Sequence, residues 1–179
     1  MKKPIKILAV SVLALSISLF VLSIGARISG IYINITPSLP VGFYKMVDEP
    51  IVSGAYVAFC PQQDEVFDMA IDRSYINRGN CPGGYGLLLK RVFAQSGDTV
   101  SIDQAGIIVN GEHLPNSSQL TADAEDQPLP QYRLQTVLDD SEYLLLSDVN
   151  PQSFDARYFG LIARDQIKQV VRPIFTWSH

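Results

Sequence analysis

One serine in this chain is held with unusual firmness. In TPSLPVGFYK, residues 36–45, Ser38 stands between Pro37 and Pro40, followed by a glycine and an aromatic pair. Proline locks φ and removes a backbone donor, so the stretch is too rigid for a linker and too broken for a helix. A serine fixed this way could aim its Oγ at one carbonyl, as a nucleophile must. It would need a base. The chain has two histidines, His113 and His179, and neither lies near Ser38 in sequence. Lysine can serve where burial lowers its pKa enough to leave neutral amine near pH 7. Lys90 is the candidate, preceded by Leu87, Leu88 and Leu89 and followed by Val92 and Phe93. Two readings are open at this point: a desolvated lysine, or a strand lysine snorkelling outward, with Ser38 no more than a turn residue.

A third stretch bears on that choice. SDVNPQSFDARYFG, residues 147–160, places Ser153, Asp155 and Arg157 at two-residue spacing before an aromatic pair and a glycine. Structurally it reads as an Asp–Arg pair pinning a loop. Functionally it reads as a support shell, in which Ser153 orients a lysine amine while Asp155 and Arg157 hold the loop.

The elements that must position these residues are mostly strands. Apolar runs with β-branched and aromatic members occur at 55–60 (AYVAFC), 85–94 (YGLLLKRVFA), 142–149 (EYLLLSDV) and 159–177. TVSID (99–103) and GIIVNGEHL (106–114) read as a hairpin region with Asn110-Gly111 as a tight turn. EVFDMAIDRSYI (65–76) reads as a helix, and the acidic, proline-bearing TADAEDQPLP (121–130) as a surface loop. The expectation is a mainly β, antiparallel domain with little helix beyond the N-terminus.

That N-terminus is different in kind. Ile7 to Gly25 is uncharged and mostly apolar, and Lys2, Lys3 and Lys6 precede it. As a helix it just reaches the ~30 Å hydrocarbon thickness of a bilayer. The expected organisation is a cytoplasmic N-terminus at 1–6, a transmembrane signal-anchor at 7–25 and an exported domain at 26–179. The lysines set that orientation. A cleaved signal peptide, with Ser23 and Gly25 at the cut site, and a buried core helix are the rival readings. In an exported domain the lone cysteines, Cys60 and Cys81, most simply form a disulfide, clipping an insertion between them. Their spacing does not suit a C-x-x-C redox site, and the histidines do not complete a zinc set, so no metal and no cofactor is expected. A net charge of −4 and a pI near 5.0 argue against nucleic acid.

The order TPSLPVGFYK, LLLKRVFAQSGDTV, SFDARYFG resembles the membrane-anchored signal peptidase I superfamily of Ser–Lys proteases over roughly residues 30–179. The single anchor, SLPVGFY in place of a serine–methionine motif, and the Cys60–Cys81 insertion look more like its TraF-like conjugal transfer peptidases. The resemblance implies Ser38 as nucleophile and Lys90 as general base. It implies a Thr36 hydroxyl that joins the Ser38 N–H in an oxyanion hole, Ser153 bonded to the lysine, and Asp155 and Arg157 in support. Leu39 replaces the methionine, and Ala156 stands where leader peptidases usually have serine. The implied activity is serine endopeptidase action at the periplasmic (exported) face of the inner (cytoplasmic) membrane. Its partners would be the lipid bilayer and a membrane-tethered, pilin-like precursor, cut near the end of a hydrophobic segment beside small residues. In TraF-like enzymes the product can be cyclic. A general leader peptidase and an inactive scaffold of an export complex are the alternatives.

Overall fold

The computed structural model describes residues 3–147 and 149–177. His179 and the N-terminal Lys2 therefore lie outside the described residues, as does Asp148 near the end of the 142–149 run. Helix α1 (Lys3–Ile28) contains the apolar segment and outruns it at both ends. Its stretch Lys6–Gly25 is long and apolar enough to cross a membrane, and none of it is buried inside the rest of the chain. A core helix would present a stripe to the domain. This one does not, so the core-helix reading is set aside.

Eleven strands follow among the described residues: β1 (Ile31–Asn34), β2 (Gly42–Val47), β3 (Tyr56–Phe59), β4 (Leu88–Ala94), β5 (Thr99–Asp103), β6 (Gly106–Val109), β7 (Glu112–His113), β8 (Leu134–Val137), β9 (Glu142–Leu146), β10 (Ile162–Ala163) and β11 (Ile167–Thr176). They form two antiparallel sheets, one ordered β1-β2-β11-β3-β4-β9-β10 and the other β7-β6-β5-β8. The mainly β, antiparallel fold is thus as the sequence implies. Val57, Phe59, Val92, Leu145 and Val170 lie in one apolar core. Ala94, Leu144 and Leu146 join a second core with Val100, Ile102 and Ile107 of the smaller sheet. A third and smaller core holds Leu39, Tyr44, Ala58, Leu89 and Val171.

Several boundaries differ from the sequence reading, each for a local reason. The 65–76 helix stops early: α2 spans Glu65–Asp72, capped by the Asp64 carboxylate on the Val66 N–H, and buries Phe67 and Ala70. Ser74 then adopts φ +59°, and the Tyr75 N–H turns back to the Ala70 carbonyl at 2.8 Å, ending the helix. The 85–94 strand starts late. Tyr85 and Gly86 pair with the clipped insertion instead, through Cys81 N to Tyr85 O at 2.9 Å and Gly86 N to Asn77 O at 2.7 Å. Gly79 and Gly86 permit that approach, since a Cβ on Gly79 would sit 2.7 Å from the Gly86 Cα. Strand β9 ends at Leu146, where the chain leaves the sheet with Ser147. The 159–177 run breaks into β10, a 3-10 turn over Arg164–Gln166 and β11, while Phe159 belongs to helix α3 (Ala156–Phe159). Strands β1, β2 and β8 are additions to the sequence reading.

The Asn110-Gly111 turn closes the β6–β7 hairpin, with φ +51° and +83° as a tight two-residue turn requires. Residues 121–130 are loop, with the Asp123 carboxylate accepting from the Glu125 and Gln127 N–H groups at 2.8 Å each. Cys60 and Cys81 form a disulfide with their Cα atoms 5.4 Å apart, so the insertion carrying α2 is clipped at its base.

Candidate active site

Lys90 lies in the middle of β4, a strand paired on one side with β3 and on the other with β9. Its partner in β3 is Val57, which is fully buried. The Lys90 amine is bonded to Ser153 and has Asp155 and Arg157 close by, which takes most of the side chain out of water. Lys90 is accordingly buried, at 2 % exposure. Burial lowers its pKa to about 8; the Asp155 carboxylate opposes the shift and Arg157 adds to it. The outward-facing lysine is therefore not what the fold builds.

Lys90 Nζ donates to Ser153 Oγ at 3.0 Å. The same oxygen lies 3.2 Å from Ser38 Oγ. Three residues 115 and 63 positions apart in sequence thus meet at one hydroxyl. Ser153 itself is held from behind. Arg157 and Asp155 form a buried two-point ion pair, Nε to Oδ1 and Nη2 to Oδ2, each at 2.8 Å. From that fixed position Arg157 Nη2 donates to the Ser153 carbonyl at 2.8 Å, and Nη1 to the Pro151 carbonyl. Burial pulls the guanidinium pKa down, but the bond and charge of Asp155 outweigh it and the net shift is upward. Asp155 also caps α3, accepting from the Arg157 N–H at 3.3 Å. Ala156 is fully buried at the start of that helix.

Ser38 occupies an irregular segment between β1 and β2 and is half-buried. Leu39 anchors the segment by packing into the third core with no exposure. Among the described residues the Ser38 N–H donates to no protein acceptor, which leaves it available to an oxygen of a bound molecule. Thr36 lies beside it, and its hydroxyl donates to Asn34 Oδ1 at 2.9 Å. A hydroxyl has one proton to give. For Thr36 to donate to a reacting oxygen, its hydroxyl must turn away from Asn34.

A cleft of about 1290 Å³ opens from Ser38 and Lys90, lined along its length by Tyr32, Ile33, Leu87, Leu88 and Phe154 among others. Ser74 to Cys81 of the clipped insertion and loop residues Leu120, Ala122, Asp123 and Ala124 also line it. Those two segments are tied together. The Tyr75 hydroxyl donates to the Asp123 carboxylate, and Arg73 Nη1 to the Pro128 carbonyl at 2.8 Å. The disulfide therefore fixes one wall of the cleft to β3. Among the described residues no group of three or more His, Cys, Asp or Glu is arranged to hold a metal.

The sequence reading missed Asn34 and Ser147, both buried and both bonded to the segment that carries Ser38. Neither type is chemically conspicuous, and no spacing rule connects them to Ser38. The only sequence signal is that Asn34 belongs to the class of side chains that bond to nearby backbone.

The profile of the family described as "Signal peptidase, peptidase S26" matches residues 2–177, nearly the whole chain. The chain belongs to the signal peptidase, peptidase S26 family. Plasmid transfer protein TraF of Escherichia coli is 46 % identical over 178 residues, covering 99 % of this chain and 100 % of that one. A second Escherichia coli plasmid transfer protein TraF is 48 % identical over 153 residues, covering 85 % and 86 %. Conjugal transfer protein TraF of Agrobacterium fabrum (strain C58 / ATCC 33970) is 31 % identical over 153 residues, covering 84 % and 85 %. The TraF-like resemblance read from the three motifs is met by these relatives. Among solved structures, a signal peptidase I from Enterococcus faecalis V583 covers 69 % of this chain and 97 % of its own at 19 % identity and a TM-score of 0.38, a likeness too slight to argue from.

Proposed function

We propose that this S26-family peptidase is a membrane-anchored serine endopeptidase in which Ser38 is the nucleophile and Lys90 the general base. It would mature an exported, pilin-type precursor for conjugative transfer. The observation that carries the reading is the meeting of Ser38 Oγ and the buried Lys90 Nζ at Ser153 Oγ, 3.2 and 3.0 Å away. With a pKa of about 8, about a tenth of Lys90 is neutral at pH 7, against a negligible share for an ordinary lysine. The neutral amine can accept a proton from Ser153 while Ser153 accepts the one leaving Ser38. The serine oxygen then attacks the scissile carbonyl and the lysine ends as ammonium. That ammonium returns a proton to the departing amine, leaving an acyl ester on Ser38. The free Ser38 N–H can bind the developing oxyanion, with the Thr36 hydroxyl as second donor after turning from Asn34.

Helix α1 would anchor the enzyme, with residues 1–6 in the cytoplasm and the domain from residue 26 on the exported face of the inner membrane. Exposed Ile33, Phe43, Phe175 and Trp177 support a site close to the bilayer: Phe43 of β2 pairs with Ile33 of β1 and Phe175 of β11, and its ring lies against Trp177. The plasmid and conjugal transfer relatives motivate the substrate class. In such a substrate, the ester on Ser38 can be resolved by water or by the substrate's own amine. The amine can outcompete ~55 M water if the cleft holds it in line, since well-oriented intramolecular groups reach effective molarities of about 10⁵–10⁸ M.

The test is co-expression of a candidate precursor with the wild type, Ser38→Ala or Lys90→Arg, read by intact mass. Processing is expected only with the wild type, because guanidinium does not deprotonate to act as a base. A cyclic product is lighter by one water than the linear chain of the same residues. Processing by either variant refutes the dyad; a linear product removes cyclisation and leaves endopeptidase action standing.

A further inference from the structure

The segment that carries Ser38 has no sheet ladder to hold it. Its carbonyls are gathered instead by side chains. Asn34 Nδ2 donates to the carbonyls of Thr36 at 3.0 Å, Leu39 at 3.1 Å and Pro40 at 3.3 Å. Three carbonyl partners fix which way this amide faces, so Oδ1 is the atom that accepts from the Thr36 N–H at 3.2 Å and the Thr36 hydroxyl at 2.9 Å. Asn34 is 3 % exposed at the end of β1. The Tyr44 hydroxyl adds a bond to the Pro40 carbonyl at 2.6 Å.

The Ser38 carbonyl is taken from the other side. Ser147 Oγ donates to it at 2.7 Å. The same oxygen accepts from the Asn150 N–H at 3.0 Å, and the Asn150 carbonyl accepts from the Ser153 N–H at 3.1 Å. The Ser147 N–H donates to Asp155 Oδ2 at 3.1 Å. Ser147 thus touches the nucleophile's backbone, the turn that presents Ser153 and the carboxylate that supports Arg157.

We infer that Asn34 and Ser147 are positioning residues that clamp the Ser38 segment from opposite sides, Ser147 setting the Ser38–Ser153 separation and Asn34 the turn that carries the Ser38 N–H. The inference rests on the reading of Ser38 as nucleophile. Neither residue exchanges a proton with substrate. Each acts through the placement of Ser38, and displacements near 1 Å slow oriented reactions about a hundredfold.

The experiment uses the full-length protein in detergent, an acylating serine-directed probe and a precursor peptide. Ser147→Ala is expected to slow acylation about ten- to a hundredfold while the final labelled fraction, KM and the pH of half-maximal rate stay at wild-type values. That midpoint stays because the Lys90–Ser153 bond does not involve Ser147. Ser147→Thr keeps the hydroxyl and is expected to restore most of the rate. Asn34→Asp keeps an acceptor for Thr36 but loses the donor to three carbonyls, and is expected to be slow as well. Wild-type acylation by Ser147→Ala, or a loss that only tracks a smaller labelled fraction, overturns the inference, as does failure of Ser147→Thr to exceed Ser147→Ala. Labelling of Ser38→Ala by the probe would instead refute the nucleophile reading, so the two failures are told apart.

Discussion

Replacing Lys90 with methionine is expected to destroy activity and stabilise the fold, and the size of the gain follows from the burial of the amine. Lys90 is lowered from 10.5 to about 8, chiefly by burial. Each unit of pKa is about 1.4 kcal/mol of preference between protonation states, so keeping this lysine charged in the folded protein costs about 3 kcal/mol. The sign is set by linkage. Below pH 8 both folded and unfolded lysine carry the proton, and the folded state bears the whole cost. Between pH 8 and 10.5 the folded protein has shed its proton while the unfolded chain keeps it, so stability rises with pH; above 10.5 the cost is gone. Methionine has a similar length and no charge. The stability of Lys90→Met minus that of wild type should therefore shrink by about 3 kcal/mol between pH 7 and pH 10.5. The assay is urea unfolding in mild detergent at several pH values for both proteins. In parallel, wild-type kcat/KM should rise with pH, reach half its plateau near pH 8 and flatten above it. A stability difference that does not change over that interval, or a rate already at its plateau by pH 6, would refute a buried amine poised to lose its proton.

Other substitutions probe the support around that amine. Arg157→Met leaves the fully buried Asp155 carboxylate without its partner and should destabilise the fold by about 3–5 kcal/mol, read by thermal unfolding. Replacing Cys60 and Cys81 together with serine removes a link across 21 residues; it should lower stability by about 3 kcal/mol and loosen the cleft wall while leaving measurable turnover. Thr36→Val is expected to reduce kcat about 10²–10³-fold while Thr36→Ser keeps most of it, and equal kcat for Val and Thr would place the second oxyanion donor elsewhere.

Much of this molecule is readable along the chain. The uncharged run, with lysines before it, determines an apolar helix by itself, because helix length and side-chain polarity are local properties. Asn110-Gly111 determines its own turn, since its backbone angles suit few other pairs. Apolar runs located β3 and β9, a hairpin pattern located β5 and β6, and the prolines about Ser38 marked a fixed segment. Strands β1 and β2 lie between the apolar helix and the region beyond the prolines, where no run of strand residues stands out, and β2 owes its place to β11, which arrives more than 120 residues later. The fate of Lys90 was not decidable from YGLLLK. A strand lysine snorkels or is buried according to what packs over its strand, and here β3, β9 and the Asp155–Arg157 loop close in from distant parts of the chain. Asn34 and Ser147 were invisible for the same reason. Their polar atoms are ordinary, and only tertiary structure brings them onto the carbonyls around Ser38, where a buried hydrogen bond must be made by whichever side chain the fold delivers.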